Sequence, residues 1–168
     1  MNTKKLCLMG LLMALTCVAT MIIRVPINVT GGYVNIGDSM VLICAIFFGP
    51  EYGFLAGGLG SGLADLIGGY PAWFIATFII KGIEGFLVSK LAGTNNETFL
   101  NVRKILACAA GLIWMVAGYF VADAIINGSV IASLKGVPSN CLQAVFSFVV
   151  FVVLGLALHK AKITNYIK

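Results

Sequence analysis

Charged residues are scarce in this sequence, since they make up only 10% of its 168 residues. Hydrophobic residues make up 60%, and the mean hydropathy is +1.04. A soluble domain carries about 25% charged residues, so the composition excludes an ordinary soluble domain. The sequence instead predicts an all-α integral membrane protein. Its length gives room for about five or six helices of about 20 residues each, and none for a soluble nucleotide-binding domain.

Catalytic and metal-binding motifs are also missing. The single histidine, His159, lies near the end of the last apolar run, so neither a histidine-based catalytic dyad nor a metal site is expected in the outer half of the membrane. The five cysteines are scattered without a CxxC pair, which argues against a zinc site or a disulfide framework. The stretch GGLGSGLAD has Leu59 where a serine-hydrolase elbow needs glycine. The sequence therefore predicts no enzyme and no cofactor.

Apolar runs predict six transmembrane helices in one membrane domain, residues 1–168. Their approximate bounds are 4–24, 38–49, 51–69, 72–92, 104–127 and 138–160. The second run is short for a full crossing, so it is expected to be a tilted or partial span.

The basic residues give the orientation, because lysine and arginine favour the cytoplasmic side. The net charge is +5, which in a soluble protein would raise nucleic acid as a partner, but here the basic residues are interpreted as topology markers. With both termini in the cytoplasm, only Arg24 and Lys135 fall near the outer face. The cytoplasmic side then holds Lys4, Lys5, Lys90, Arg103, Lys104, Lys160, Lys162 and Lys168.

Polar residues recur at helical spacing in the last three predicted helices. Because such residues are expensive in a membrane, their outer ends predict a small-molecule pocket that opens outward and is closed toward the cytoplasm. Trp114 and Tyr119 would stack on a flat heterocycle. The three stripes are Trp73, Thr77, Lys81 and Glu84; Tyr119, Asp123 and Asn127; and Asn140, Gln143 and Ser147.

Structural roles compete with ligand contact at several of these positions. Lys81 and Glu84 can neutralise each other at i,i+3. Asp123 has no cation one turn away on its own helix, which favours ligand contact, and pairing with Lys135 or Arg24 is the structural alternative. Asp38 is expected to cap exposed amides at the start of the second helix, and Asp65 is also assigned a structural role.

Small residues form a stripe on the first predicted helix, where Gly10, Ala14 and Cys17 share a face. Such faces let helix backbones approach closely in lipid. The stripe is interpreted either as ordinary bundle packing or as a docking face for another membrane subunit.

Two stretches resemble a known family, the substrate-binding S components of energy-coupling factor (ECF) vitamin transporters. They are RVPINVTGGYVNIGDSMVLICAIFFGPEYGFLAGGLGSGLADLIGG and PAWFIATFIIKGIEGFLVSKL. The resemblance implies a six-helix protein of a prokaryotic plasma membrane that captures a vitamin outside the cell. Delivery would follow by docking on a transmembrane coupling subunit, driven by two cytoplasmic ATPase subunits.

The resemblance also implies site residues. Residues 25–37 would form an extracellular lid, with glycines allowing turns that a strand or helix would forbid, and with Tyr33 and Asn35 facing the ligand. The coupling contact would be the stripe of Gly10, Ala14 and Cys17. The pocket's composition favours a flat, polar, nitrogen-containing ring, with pyridoxine or hydroxymethylpyrimidine first and riboflavin second.

Two other classes of function remain open from the residues. A membrane scaffold would use the polar stripes to hold its helices together and would bind no ligand. A solitary secondary transporter would continue the polar residues to the cytoplasmic side and would carry an internal repeat.

Overall fold

The computed structural model describes residues 3–27, 32–93 and 98–163, except for the side chains of residues 25–27 and 32–34. This part of the chain contains eight α-helices and one β-hairpin. A π-helical segment, Ala56–Gly60, joins α3 to α4, and a 3₁₀ turn, Pro71–Trp73, leads into α5. In chain order the elements are α1 (Thr3–Ile22), β1 (Arg24–Ile27), β2 (Gly32–Asn35), α2 (Gly37–Phe47), α3 (Pro50–Leu55), α4 (Ser61–Ile67), α5 (Phe74–Ala92), α6 (Val102–Asn127), α7 (Val130–Leu134) and α8 (Val137–Lys160).

Four helical stretches of the described chain are long and apolar enough to cross a membrane. Helix α2 is apolar but has only 11 residues, as the short second run predicted. The predicted third span, 51–69, is divided between α3, the π-helical segment and α4. The count of six crossings therefore stays a prediction. The four long stretches are Thr3–Ile22, Pro71–Ala92, Val102–Asn127 and Val130–Lys160.

Glycines let the divided third helix lie directly against the backbone of α5. A Cβ atom at Gly57 would overlap the carbonyl oxygen of Lys81, and one at Gly53 would meet the carbonyl oxygen of Gly85. This contact is the close small-residue packing expected between helices in lipid. It fixes the position of Lys81 in the bundle.

The segment after α1 is an antiparallel hairpin in which Arg24 pairs with Asn35 and Ile27 with Gly32. The sequence analysis expected turns over residues 25–37 and did not predict these two strands; residues 28–31, between them, lie outside the described residues. Val25 and Ile27 are β-branched, which favours extended backbone. Pro26 is tolerated because each strand of a two-stranded sheet is an edge strand.

The apolar core lies toward one end of the bundle. Most of its members come from the second half of α2, the second half of α5, the first half of α6 and the second half of α8, and Phe99, Ile80 and Met115 complete it. Examples are Ile43, Val88, Met115 and Phe151, each at most 2% exposed. Large apolar side chains also point outward, as a lipid-facing surface requires. Buried polar residues such as Asp38, Thr77, Asp123 and Gln143 lie toward the opposite ends of the same four helices.

Candidate ligand-binding site

A cavity lies where α5 and α8 begin and α6 ends. Helices α1, α4 and α7, strand β2 and the turn before α5 complete its wall. Eight of the eleven ligand-binding residues predicted from the sequence line it: Asn35, Trp73, Thr77, Lys81, Tyr119, Asp123, Asn140 and Gln143.

The other three predicted ligand residues are placed differently. Glu84 is fully buried one turn beyond Lys81 on α5 and is not part of the cavity wall. Asn127 is exposed at the end of α6, and its Nδ2 donates to Asp123 Oδ1 at 2.5 Å. Asn127 therefore orients a cavity residue from outside the wall. Tyr33 lies in β2, and its side chain falls outside the described residues.

A buried charge cluster forms the floor of the cavity. The Lys81 ammonium forms a salt bridge with Asp38 on α2, and its Nζ lies 3.4 Å from Glu84 Oε2. The predicted pairing of Lys81 with Glu84 is therefore present, but Asp38 is the nearer partner. In a membrane interior such charges persist only when they compensate one another.

Asp38 does not cap amides as the sequence analysis expected. Ile36 is the residue before α2, and the Asp38 carboxylate, in the first turn, accepts from Lys81 and from Gln143 Nε2, the latter at 2.8 Å. Its position still suits the helix dipole. The carboxylate thus connects three helices, α2, α5 and α8.

Hydrogen bonds at Asn35 close the hairpin onto α8. The Asn35 backbone N–H donates to Gln143 Oε1 at 3.1 Å, and Ser147 Oγ donates to the Asn35 carbonyl at 3.4 Å. The Asn35 side chain accepts from the Gly37 N–H at 2.7 Å. Asn35 therefore borders the cavity and fixes the end of the hairpin at the same time.

Two aromatic rings form one wall of the cavity. The centres of Trp73 and Tyr119 are 6.1 Å apart, with an angle of 49° between the ring planes. The Tyr119 hydroxyl lies 3.1 Å from Thr77 Oγ1, and Lys81 Nζ is 5.3 Å from the centre of the Tyr119 ring, at cation–π distance. Trp114 does not line the cavity, because it faces outward and its indole N–H donates to the Ile80 carbonyl. A flat ring can therefore stack at Trp73 and Tyr119, and not at Trp114.

Sequence reasoning missed part of the wall. Ser61 and Asp65 lie one turn apart on α4, and both are buried. Their i,i+4 spacing was a usable signal, but they follow a glycine run that was interpreted only as packing. The missed lining residues are Thr20, Ser61, Asp65, Tyr70, Ser133 and Gly136.

The small-residue stripe on α1 is split between two environments. Gly10 and Ala14 are exposed, and a Cβ atom at Gly10 would meet nothing within 4 Å. Cys17 is only 8% exposed, and its Sγ lies 3.8 Å from Met21 Sδ. The exposed surface of α1 thus includes Gly10 and Ala14 together with Leu11, Leu15 and Val18.

Comparison with protein families gives a match over nearly the whole chain. The model of the ECF-type riboflavin transporter S component family matches residues 1–160. The chain belongs to this family. The resemblance found in the sequence is thereby confirmed, and the protein is a transporter S component of the multi-pass membrane type.

Individual relatives of this S component carry different names. A protein from Pyrococcus woesei, described as an uncharacterized protein in a gap 3' region, is 47% identical over 103 residues; the match covers 61% of this chain and 66% of that protein, just under two thirds of its length. The thiamine precursor transporter HmpT of Lactococcus lactis subsp. cremoris is 29% identical over 165 residues, which cover 98% of this chain and 93% of that protein.

A solved structure has the same fold. It is titled "Structure and mechanism of the S component of a bacterial ECF transporter", and it matches with a TM-score of 0.70 and 21% identity. The match covers 100% of this S component and 99% of that chain. At this identity the likeness concerns the fold alone.

Proposed function

We propose that this S component captures a small, flat, nitrogen-containing vitamin or vitamin precursor outside the cell. The observation that carries the proposal is the cavity itself. Polar side chains from distant parts of the chain meet there beside the ring pair of Trp73 and Tyr119. A small number of convergent polar groups in a concave, partly aromatic site is typical of small-molecule binding.

The size of the cavity favours a one-ring ligand. Its volume is about 70 Å³, which is enough for a few water molecules. Hydroxymethylpyrimidine or pyridoxine is therefore the first candidate. The name of the Lactococcus relative, a thiamine precursor transporter, supports the same choice. Riboflavin is the second candidate because the family is described by it, but its three fused rings require the cavity to widen.

The hairpin of β1 and β2 acts as the extracellular lid in this proposal. Asn35 is its inner end and borders the cavity, where Gln143 and Ser147 hold its backbone. Release of these two hydrogen bonds would free the hairpin from α8. A ligand enters when the hairpin moves away and is enclosed when the bonds form again.

In this proposal delivery requires a partner, because a cluster of buried apolar residues lies beyond the cavity floor. Ile43, Val88, Met115 and Phe151 occupy that half of the bundle. In this proposal the exposed α1 surface around Gly10 and Ala14 docks on a transmembrane coupling subunit, and two cytoplasmic ATPase subunits drive release. The distribution of lysine and arginine supports a proposed orientation with both termini in the cytoplasm of a prokaryotic cell.

The first test is native mass spectrometry of protein purified from rich medium in mild detergent, followed by thermal-shift measurements with B vitamins and their precursors. A bound heterocycle that also raises the melting temperature is the expected result. The Asp123→Ala variant should lose both effects. An empty protein that no compound stabilises would overturn the proposal and favour the scaffold alternative.

A further inference from the structure

A long groove runs between α6 and α8 on the surface of the bundle, and α7 lies at one of its ends. Its volume is about 660 Å³, and every described residue that lines it is apolar. Helix α6 and the stretch that contains α7 and α8 are both long and apolar enough to cross a membrane. The groove therefore faces lipid.

Small side chains leave this space open. Ala109 and Ala117 on α6 and Ala144 on α8 line the groove, where larger residues would fill the gap between the two helices. An unfilled gap forfeits the dispersion contacts of every atom that lines it. An apolar occupant is therefore favoured over an empty groove.

The dimensions of the groove suit a lipid chain better than a protein helix. It extends about 22 Å along α6, from Ile105 to Phe120, at about 1.5 Å per residue. Over that length, 660 Å³ corresponds to a cross-section of about 30 Å², whereas a helix about 10 Å wide occupies about 80 Å². The groove is also shorter than the hydrocarbon layer of about 30 Å that a partner helix crosses. One extended acyl chain is narrow enough to be enclosed.

A basic residue marks the end of the groove at α7. Lys135 is exposed and directly follows Leu134, which lines the groove. Within the described part of the chain, Lys135 forms no salt bridge. At the opposite end of the groove, Arg103 and Lys104 already donate to backbone carbonyls of other segments. The Lys135 ammonium group therefore complements a lipid whose headgroup is negatively charged.

Helices α7 and α8 separate the groove from the polar cavity. Ser133 and Gln143 line the cavity, and their neighbours Leu134 and Ala144 line the groove. The same two helices therefore carry one wall of each space. An acyl chain in the groove supports this shared wall from its apolar side.

We infer that the groove binds one acyl chain of an anionic phospholipid, with the headgroup at Lys135, and that the bound lipid stabilises the folded protein. The chain contributes apolar burial along the groove, and the headgroup contact sets the preference for negative charge. The groove is separate from the cavity, so this inference does not depend on the proposed function.

The test adds phosphatidylglycerol or phosphatidylcholine with identical acyl chains to delipidated full-length protein in detergent. Native mass spectrometry measures the bound fraction, and thermal unfolding measures the stabilisation. We expect one retained phospholipid, bound about fivefold more tightly as phosphatidylglycerol, and a melting temperature that rises with its concentration. Glycerol 3-phosphate, which carries the anionic group without acyl chains, should neither bind nor stabilise.

Two substitutions separate the roles of chain and headgroup. Ala117→Trp adds a large side chain in the groove from an exposed position and should weaken the binding of both phospholipids at least about tenfold. Lys135→Gln should remove the preference for phosphatidylglycerol and leave phosphatidylcholine binding unchanged. Ala157→Trp is the matched control, because Ala157 is exposed on α8 outside the groove. This control should bind both phospholipids as the unmodified protein does.

Equal affinity of the unmodified protein for the two phospholipids, or an undiminished preference in Lys135→Gln, overturns the inference. Unchanged phospholipid binding by Ala117→Trp also overturns it. A protein dimer that Ala117→Trp abolishes would make a second copy of the chain the occupant of the groove, against the inference. Should Ala117→Trp fail to fold, the comparison of Lys135→Gln with the unmodified protein still decides.

Discussion

Gln143 on α8 donates a 2.8 Å hydrogen bond to Asp38 on α2, across a sequence separation of 105 residues. The other atom of the same amide, Oε1, accepts from the backbone N–H of Asn35 at the end of the hairpin. One side chain therefore connects the hairpin, the charge cluster at the cavity floor and the last helix. The cavity and the hairpin belong to one hydrogen-bonded unit.

Replacement of Gln143 by alanine should destabilise the protein and also weaken ligand binding. It removes a donor to Asp38 and an acceptor for Asn35, and each buried group left unsatisfied costs about 1–3 kcal/mol. Thermal unfolding in detergent measures the first effect and calorimetric titration the second. Asn140→Ala, one turn earlier on α8, is the control and should lower affinity with a smaller change in melting temperature. Equal melting temperatures for Gln143→Ala and the unmodified protein would contradict this role.

Lys81→Met should be strongly destabilising, because it leaves Asp38 and Glu84 buried without their cation. Removal of one partner from a buried ion pair costs about 3–5 kcal/mol. The double variant Lys81→Met with Asp38→Asn should recover part of the lost stability, since it also removes one of the two buried negative charges left without a cation. The melting temperatures of the two variants provide the comparison. A double variant no more stable than the single one would show that Asp38 does not depend on Lys81.

The polar stripes were the most predictable part of the site. Thr77 and Lys81 on α5, and Tyr119 and Asp123 on α6, repeat at i,i+4, and buried polar groups on membrane helices turn toward one another. The same spacing also predicted Asn127 as a cavity residue. Asn127 is instead the last residue of α6, and its side chain is exposed outside the cavity wall. Helical spacing identifies a shared face, but not the depth at which that face is buried.

Ser61 and Asp65 were not assigned to the site for a different physical reason. An inserted residue in a π-helical turn rotates the following helix by about 100° relative to an unbroken α-helix. The segment Ala56–Gly60 makes that insertion just before Ser61. The glycines of this segment indicate close packing. The segment contains no polar residue, so the sequence gives no sign that the helix face has changed.

The hairpin was not predicted either. The glycines at 31 and 32 were interpreted as a turn, and the β-branched residues near them, which favour strands, were given less importance.

Gly57→Ala should destabilise the protein and impair binding together. The added Cβ atom would overlap the carbonyl oxygen of Lys81, so the backbone that carries the floor lysine must move. Overpacking of this kind costs about 1–3 kcal/mol. Gly10→Ala makes the same chemical change where nothing lies within 4 Å, so its melting temperature should be unchanged or slightly higher. Thermal unfolding of the two variants side by side tests the contact, and equal stability would contradict it.

Ala14→Leu should abolish uptake and leave ligand binding intact. Ala14 is exposed on α1, and Thr20 is the cavity residue nearest to it along the chain. A larger side chain at position 14 is therefore expected to disturb docking and to leave the cavity intact. Ala109→Leu is the matched control, because Ala109 is exposed on α6. Uptake is measured in vesicles that contain the coupling and ATPase subunits, and binding is measured on the isolated protein. Uptake at the unmodified rate by Ala14→Leu would place the coupling contact elsewhere. Loss of uptake in both variants would mean that the partner covers more than one face of the bundle.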